Sequence, residues 1–140
     1  MYKIKFFPEH NLVILKLHNK ADGAIAEIFT KADDYVLNHP DYRPPVNVII
    51  DYRDATLPSN EFFYNDLSRT LKIKTKANIL VRIIPEDMKI YKSNLNIFKI
   101  FYKGEKFRET THTKYDVPSA LEAAGVTENL DQLYDFLDTQ

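Results

Sequence analysis

The sequence predicts an α/β domain built on a mixed sheet of four to five strands, with an N-terminal β-hairpin and helices packed on the sheet. Three observations carry this. First, Val46-Asn47-Val48-Ile49-Ile50-Asp51 is a β-branched, nearly continuous apolar run that closes on an acid, with Pro44-Pro45 before it and Pro58 after it. Such a run without alternation suits a central strand covered on both faces. Second, helical patterns lie on either side of it, as in βα units. Third, residues 2–7 and 12–17 read as strands separated by Pro8-Glu9-His10-Asn11, the spacing of a hairpin.

The elements follow in order. After the hairpin, Asp22 can cap a helix whose apolar positions Ile25, Ile28, Phe29, Ala32 and Val36 form one stripe, while Glu27, Lys31, Asp33 and Asp34 lie off it. His39-Pro40 ends it, because the residue before a proline is pushed out of the helical region. The central strand comes next. Ser59 or Asn60 can cap a second helix, with Phe63, Leu67 and Leu71 repeating every four residues. Residues 77–84 form another buried-type strand, stopped by Pro85. Asp87 can cap a third helix that runs to about Lys103, near Gly104. Residues 106–111 read as a weaker, polar strand at the sheet edge. Asp116 begins a short helix through Leu121 and Ala124 that Gly125 ends, and Thr127 caps a last helix with Leu130, Leu133 and Leu137 on one face. The expected order is β-β-α-β-α-β-α-β-α-α, as one domain over residues 1–140, with parallel, right-handed crossovers.

Composition narrows the function classes. The 140 residues are 44% hydrophobic and 13% aromatic, enough to build a core rather than a disordered chain. A net charge of −1 gives no global field to recruit nucleic acid, and base stacking on the nine Tyr and nine Phe would need a basic groove beside them, so nucleic-acid binding is disfavoured. No cysteine is present, which removes disulfides, thiolate catalysis and cysteine-based metal sites. With three glycines, Gly23, Gly104 and Gly125, no glycine-rich phosphate loop can form. No basic start followed by an apolar stretch is seen, and the apolar runs are too short to span a bilayer, so a cytoplasmic protein without signal peptide or transmembrane segment is expected.

In its order of elements, and in residues 46–55, 76–84 and the helix start at 117–121, the chain resembles the SpoIIAA-like or STAS-like proteins, in particular their stand-alone bacterial members. The resemblance implies a four- or five-stranded mixed sheet with helices packed on it. It also implies a regulatory module in which a serine, at the start of the helix after the central strand, is phosphorylated by a partner kinase. Those anti-sigma-factor antagonists carry an Asp-Ser-Ser/Thr-Gly type of motif there. This chain has Asp54-Ala55-Thr56-Leu57-Pro58-Ser59-Asn60, so Thr56 and Ser59 are hydroxyls in that neighbourhood, but the glycine and the serine pair are missing.

Two stretches carry candidate sites. Asp51, Arg53 and Asp54, with Thr56 and Ser59 beyond them, lie where the central strand ends. In open α/β sheets ligands bind outside the strand carboxyl ends, where strand order reverses. Two carboxylates and a guanidinium there could hold a polar ligand or partner, or act as acid and base. The plainer alternative is that Asp51 caps or hydrogen-bonds a nearby loop while Arg53 pairs with Asp54 in solvent. The second stretch is the helix expected over 87–103. At about 100° per residue, Met88, Tyr91, Leu95, Phe98 and Tyr102 share one face, Ile90, Ile97 and Phe101 a second, and Lys89, Lys92, Lys99 and Lys103 a third. One apolar face suffices to pack on a sheet. The second implies a partner subunit, an apolar or lipid-like ligand, or a broad core face edged by snorkelling lysines, and the lysine strip could meet a membrane surface.

The histidines, His10, His18, His39 and His112, have no metal-ligand spacing, and surface or capping roles are expected. Ser59 has no Gly-x-Ser-x-Gly elbow, so a hydrolase nucleophile is not supported. No catalytic residue, cofactor or metal is assigned. The expected function is a non-enzymatic module that binds a protein partner, or a second copy of itself, through the helix over 87–103 and the loop after the central strand. The alternative is a carrier or sensor of a small apolar or lipid-like ligand, lined by Phe63, Leu67, Tyr91, Leu95 and Phe98. A small enzyme using Asp51, Arg53 and Asp54 comes third.

Overall fold

The computed structural model describes residues 2–18, 22–54, 77–84 and 111–138. They form a five-stranded mixed sheet whose strands stand in sequence order: β1 (Tyr2–Phe7), β2 (Leu12–His18), β3 (Val46–Asp54), β4 (Ala77–Ile83) and β5 (Thr111–Lys114). The first pair is antiparallel and the remaining three are parallel. Helix α1 (Asp22–Leu37) connects β2 to β3, and helices α2 (Val117–Ala123) and α3 (Asp131–Asp138) follow β5.

The hairpin is set by its turn. Pro8–His10 forms a 3-10 turn, and Asn11 takes a left-handed φ of 49° while its N–H reaches the Pro8 carbonyl. Asparagine tolerates this region better than most residues. The pairing is then regular from Phe7 opposite Leu12 to Tyr2 opposite Leu17. Asn11 also fixes the start of β3: its carbonyl accepts from the Asn47 N–H at 3.0 Å, and its side chain donates to the Pro45 carbonyl at 2.7 Å.

Both faces of the sheet are covered, as the continuous apolar runs of β2 and β3 predict. Alternate residues of a strand point to opposite faces. Val13, Leu15, Val48, Ile50 and Tyr52 meet Ile28, Ala32 and Val36 of α1 on one face. Leu12, Ile14, Ile49, Val81 and Ile83 meet α2 and α3 on the other, through Val117, Ala120, Leu121, Leu133 and Leu137. Burying each such aliphatic side chain contributes roughly 1.5–3 kcal/mol. Helix α2 has the ends its sequence predicts. The Asp116 carboxylate accepts from the Ser119 N–H at 2.8 Å, and at the other end Gly125, at φ 76°, closes a Schellman arrangement, with the Val126 N–H on the Leu121 carbonyl and the Gly125 N–H on that of Glu122.

Three boundaries differ from the sequence reading. The central strand runs on through Asp51 to Asp54, because β2 still pairs there, His18 standing opposite Asp54. The strand expected to end at residue 111 continues to Lys114, pairing with Leu80 to Ile83, while residues 106–110 lie outside the described residues. His112 therefore lies inside a strand rather than after one. The last helix begins at Asp131 and not at Thr127, because Asn129 adopts a φ of 57°, which a right-handed helix cannot accommodate. The helices expected after Ser59 and over 87–103 fall outside the described residues.

Candidate polar site at the carboxyl end of the central strands

Asp51 and Arg53 share a strand face with Ile49, the face that carries α2 and α3. Lys16 of β2 stands in register opposite Asp51, on the same face as Ile14. Three strand residues thus converge under the end of α3.

Their geometry is well defined. Asp51 is fully buried. Its Oδ1 accepts from the Arg53 backbone N–H and from Nε, both at 3.0 Å, and its Oδ2 accepts from Nη2 at 2.9 Å. This is a bidentate guanidinium–carboxylate pair, the strongest common form of charged hydrogen bond. The hydrogen bonds that Arg53 donates to Asp51 raise the Arg53 pKa above its ordinary value; burial opposes this, and the charges of Asp51, Asp138 and Asp54 add to it. The Lys16 ammonium, on a side chain only 2% exposed, donates to the Leu137 carbonyl and lies 3.4 Å from Asp54 Oδ2. Arg53 Nη2 reaches the same carbonyl more distantly, at 3.4 Å. Lys3 of β1 donates to the Phe136 carbonyl at 3.3 Å and sits 5.0 Å from the centre of the Phe136 ring.

Three cations therefore gather on the last carbonyls of α3. Those carbonyls have no partner within the helix and carry the negative end of its dipole, so cations are the side chains that satisfy them best. Asp51 acts by orienting Arg53, with both oxygens engaged and no exposure to solvent. Asp54, at 45% exposed, is the carboxylate that faces outward.

This arrangement corrects two parts of the sequence reading. Arg53 pairs with Asp51, and Asp54 with Lys16, where the plainer alternative paired Arg53 with Asp54. The described strands also stand in sequence order, so no reversal of strand order lies among them and the expectation of a ligand crevice at such a point loses its basis. Lys16 and Lys3 were missed by sequence reasoning. The available signal was a lysine inside the otherwise apolar run 12–17. Thr56 and Ser59 lie outside the described residues, as do Phe63, Leu67, Ile90, Tyr91, Leu95, Ile97, Phe98 and Phe101.

At the opposite end of α3, Glu9, His10, Asn129, Asp131 and Gln132 line an open cleft of about 500 Å³. His39, at the end of α1, accepts from the Asp41 N–H on Nδ1 and meets Phe6 edge-on at 5.0 Å. Among the described residues no three His, Asp or Glu side chains come together as metal ligands, and no helix is long and apolar enough to cross a membrane. No protein-family model matches the chain, and no curated protein matches it significantly.

Proposed function

We propose that the chain is a non-enzymatic interaction module of the SpoIIAA-like or STAS-like type, acting in the cytoplasm and binding a protein partner at the carboxyl ends of its central strands. One observation carries the reading. At that end Asp51 and Arg53 are paired with each other, Lys16 with Asp54 and the end of α3, and Asp54 stands nearly half exposed as the last residue of β3. A cluster satisfied within the chain anchors a surface, and the outward carboxylate marks the surface it anchors. The strand order and the antiparallel first strand are compatible with the fold that the resemblance implies, although a fold alone does not fix a function. The apolar second face read into 87–103 is the other element of the proposed surface. Phosphorylation of Thr56 or Ser59 would tie the module to the kinase-switched members it resembles.

Affinity capture with the immobilised chain tests this. A defined protein should be retained by the wild type and at least about tenfold less by Asp54→Ala, since loss of a charged interface contact weakens binding by that order or more. Folding should survive, because the buried Lys16 ammonium keeps the Leu137 carbonyl when Asp54 is truncated, and circular dichroism of the variant checks it. Equal retention by both chains would overturn the reading.

A further inference from the structure

We infer that helix α3 is a releasable strap over the groove formed by β1 and β2, and that the groove it uncovers takes an acidic amphipathic helix of the protein partner. The inference rests on the interaction-module reading, because the end of α3 sits on the Lys16–Asp51–Arg53 cluster that anchors the proposed surface.

Four features support it. The eight residues of α3 are too few to persist as a helix in water, so α3 exists through its docking. That docking is only partly apolar: Leu133 and Leu137 are buried, but Lys16 is also sealed beneath the helix end at 2% exposure. Release of α3 would return the Lys16 ammonium to water, which offsets part of the apolar burial that is lost. The Schellman closure at Gly125 ends α2 independently, so α3 can leave without unravelling it. Finally, charge defines the occupant. Phe7, Leu12 and Ile14 floor the face under α3 together with the buried Lys16, and Lys3 and Arg53 border it, while α3 brings the exposed Asp131, Asp135 and Asp138 beside two leucines four residues apart. A partner helix of the same chemistry fits the same place, by the groove-binding mode of amphipathic helices.

Hydrogen exchange on the full chain tests the strap directly. The amides of 131–138 should exchange at least about tenfold faster than those of β2 and β3, and faster again on raising salt from about 0.05 to about 0.5 M, which screens the cations. A labelled peptide of residues 127–140 should then bind the full-length Leu133→Asp variant at least about tenfold more tightly than the wild type, and Lys16→Ala in that variant should weaken it. Exchange of α3 at the rate of β2 and β3, equal peptide binding by both chains, or global unfolding of Leu133→Asp would each overturn the strap. Such a failure would leave affinity capture through Asp54 intact, whereas fast α3 exchange without any capture would remove the partner reading alone.

Discussion

Arg53 and Asp51 are two residues apart and unequally exposed, and that inequality fixes how each responds to mutation. Asp51 is wholly buried, while the Arg53 side chain is 27% exposed. Arg53→Met would leave a buried carboxylate without its two guanidinium donors, with only the residue-53 backbone N–H still bonded to it, a defect that costs about 3 kcal/mol or more. Asp51→Asn keeps one acceptor oxygen and leaves a guanidinium that water can reach, so it should cost less, about 1–2 kcal/mol. Urea denaturation of the two variants checks the order, and a milder effect from Arg53→Met would contradict it. The strand-end position of these residues was legible in the sequence, but their pairing was not. Lys16 shows why: its hydrogen-bond partner, the Leu137 carbonyl, is 121 residues away, and no local pattern encodes that meeting.

Helix ends were legible wherever a side chain or a glycine determines them locally. Asp116 and Gly125 bound α2 as expected. The start of α3 was not, because Thr127 is as good a cap by composition, and the left-handed Asn129 decides otherwise. The hydrogen bonds from Ser119, backbone first, lower the Asp116 pKa below its ordinary value. The cap's contribution is therefore present above the unfolded carboxyl's pKa and lost as pH falls through the lower, folded one. The protection factors of the α2 amides should fall below about pH 4 in the wild type but hold in Asp116→Asn, which keeps an acceptor; equal acid sensitivity in both would contradict this. The strands and α3 should also differ in how damage spreads. Ile49→Ala, in the central strand, should lower global stability by about 3–4 kcal/mol. Leu137→Ala should change global unfolding by less than about 1 kcal/mol while strongly reducing protection of 131–138, because a locally released helix limits the loss. Denaturation paired with hydrogen exchange separates the two, and equal global losses would contradict the distinction.

For the molecule as a whole, the continuous apolar character of residues 46–51 indicated a strand covered twice, and the sheet is covered by α1 on one face and by α2 and α3 on the other. Hydrophobic periodicity carries that information because it reflects burial directly. It does not say which helix lies on which face, nor that strands stand in sequence order, since both depend on crossovers rather than on local residues. The proposed function uses the surface so built. Native mass spectrometry of the chain, purified without detergent, tests the interaction-module account most directly against a carrier of apolar ligands. The account expects the chain to hold no small-molecule mass and to assemble with protein, either a second copy or an added captured partner. A lipid-sized mass retained by each chain, and lost on denaturation, would contradict it.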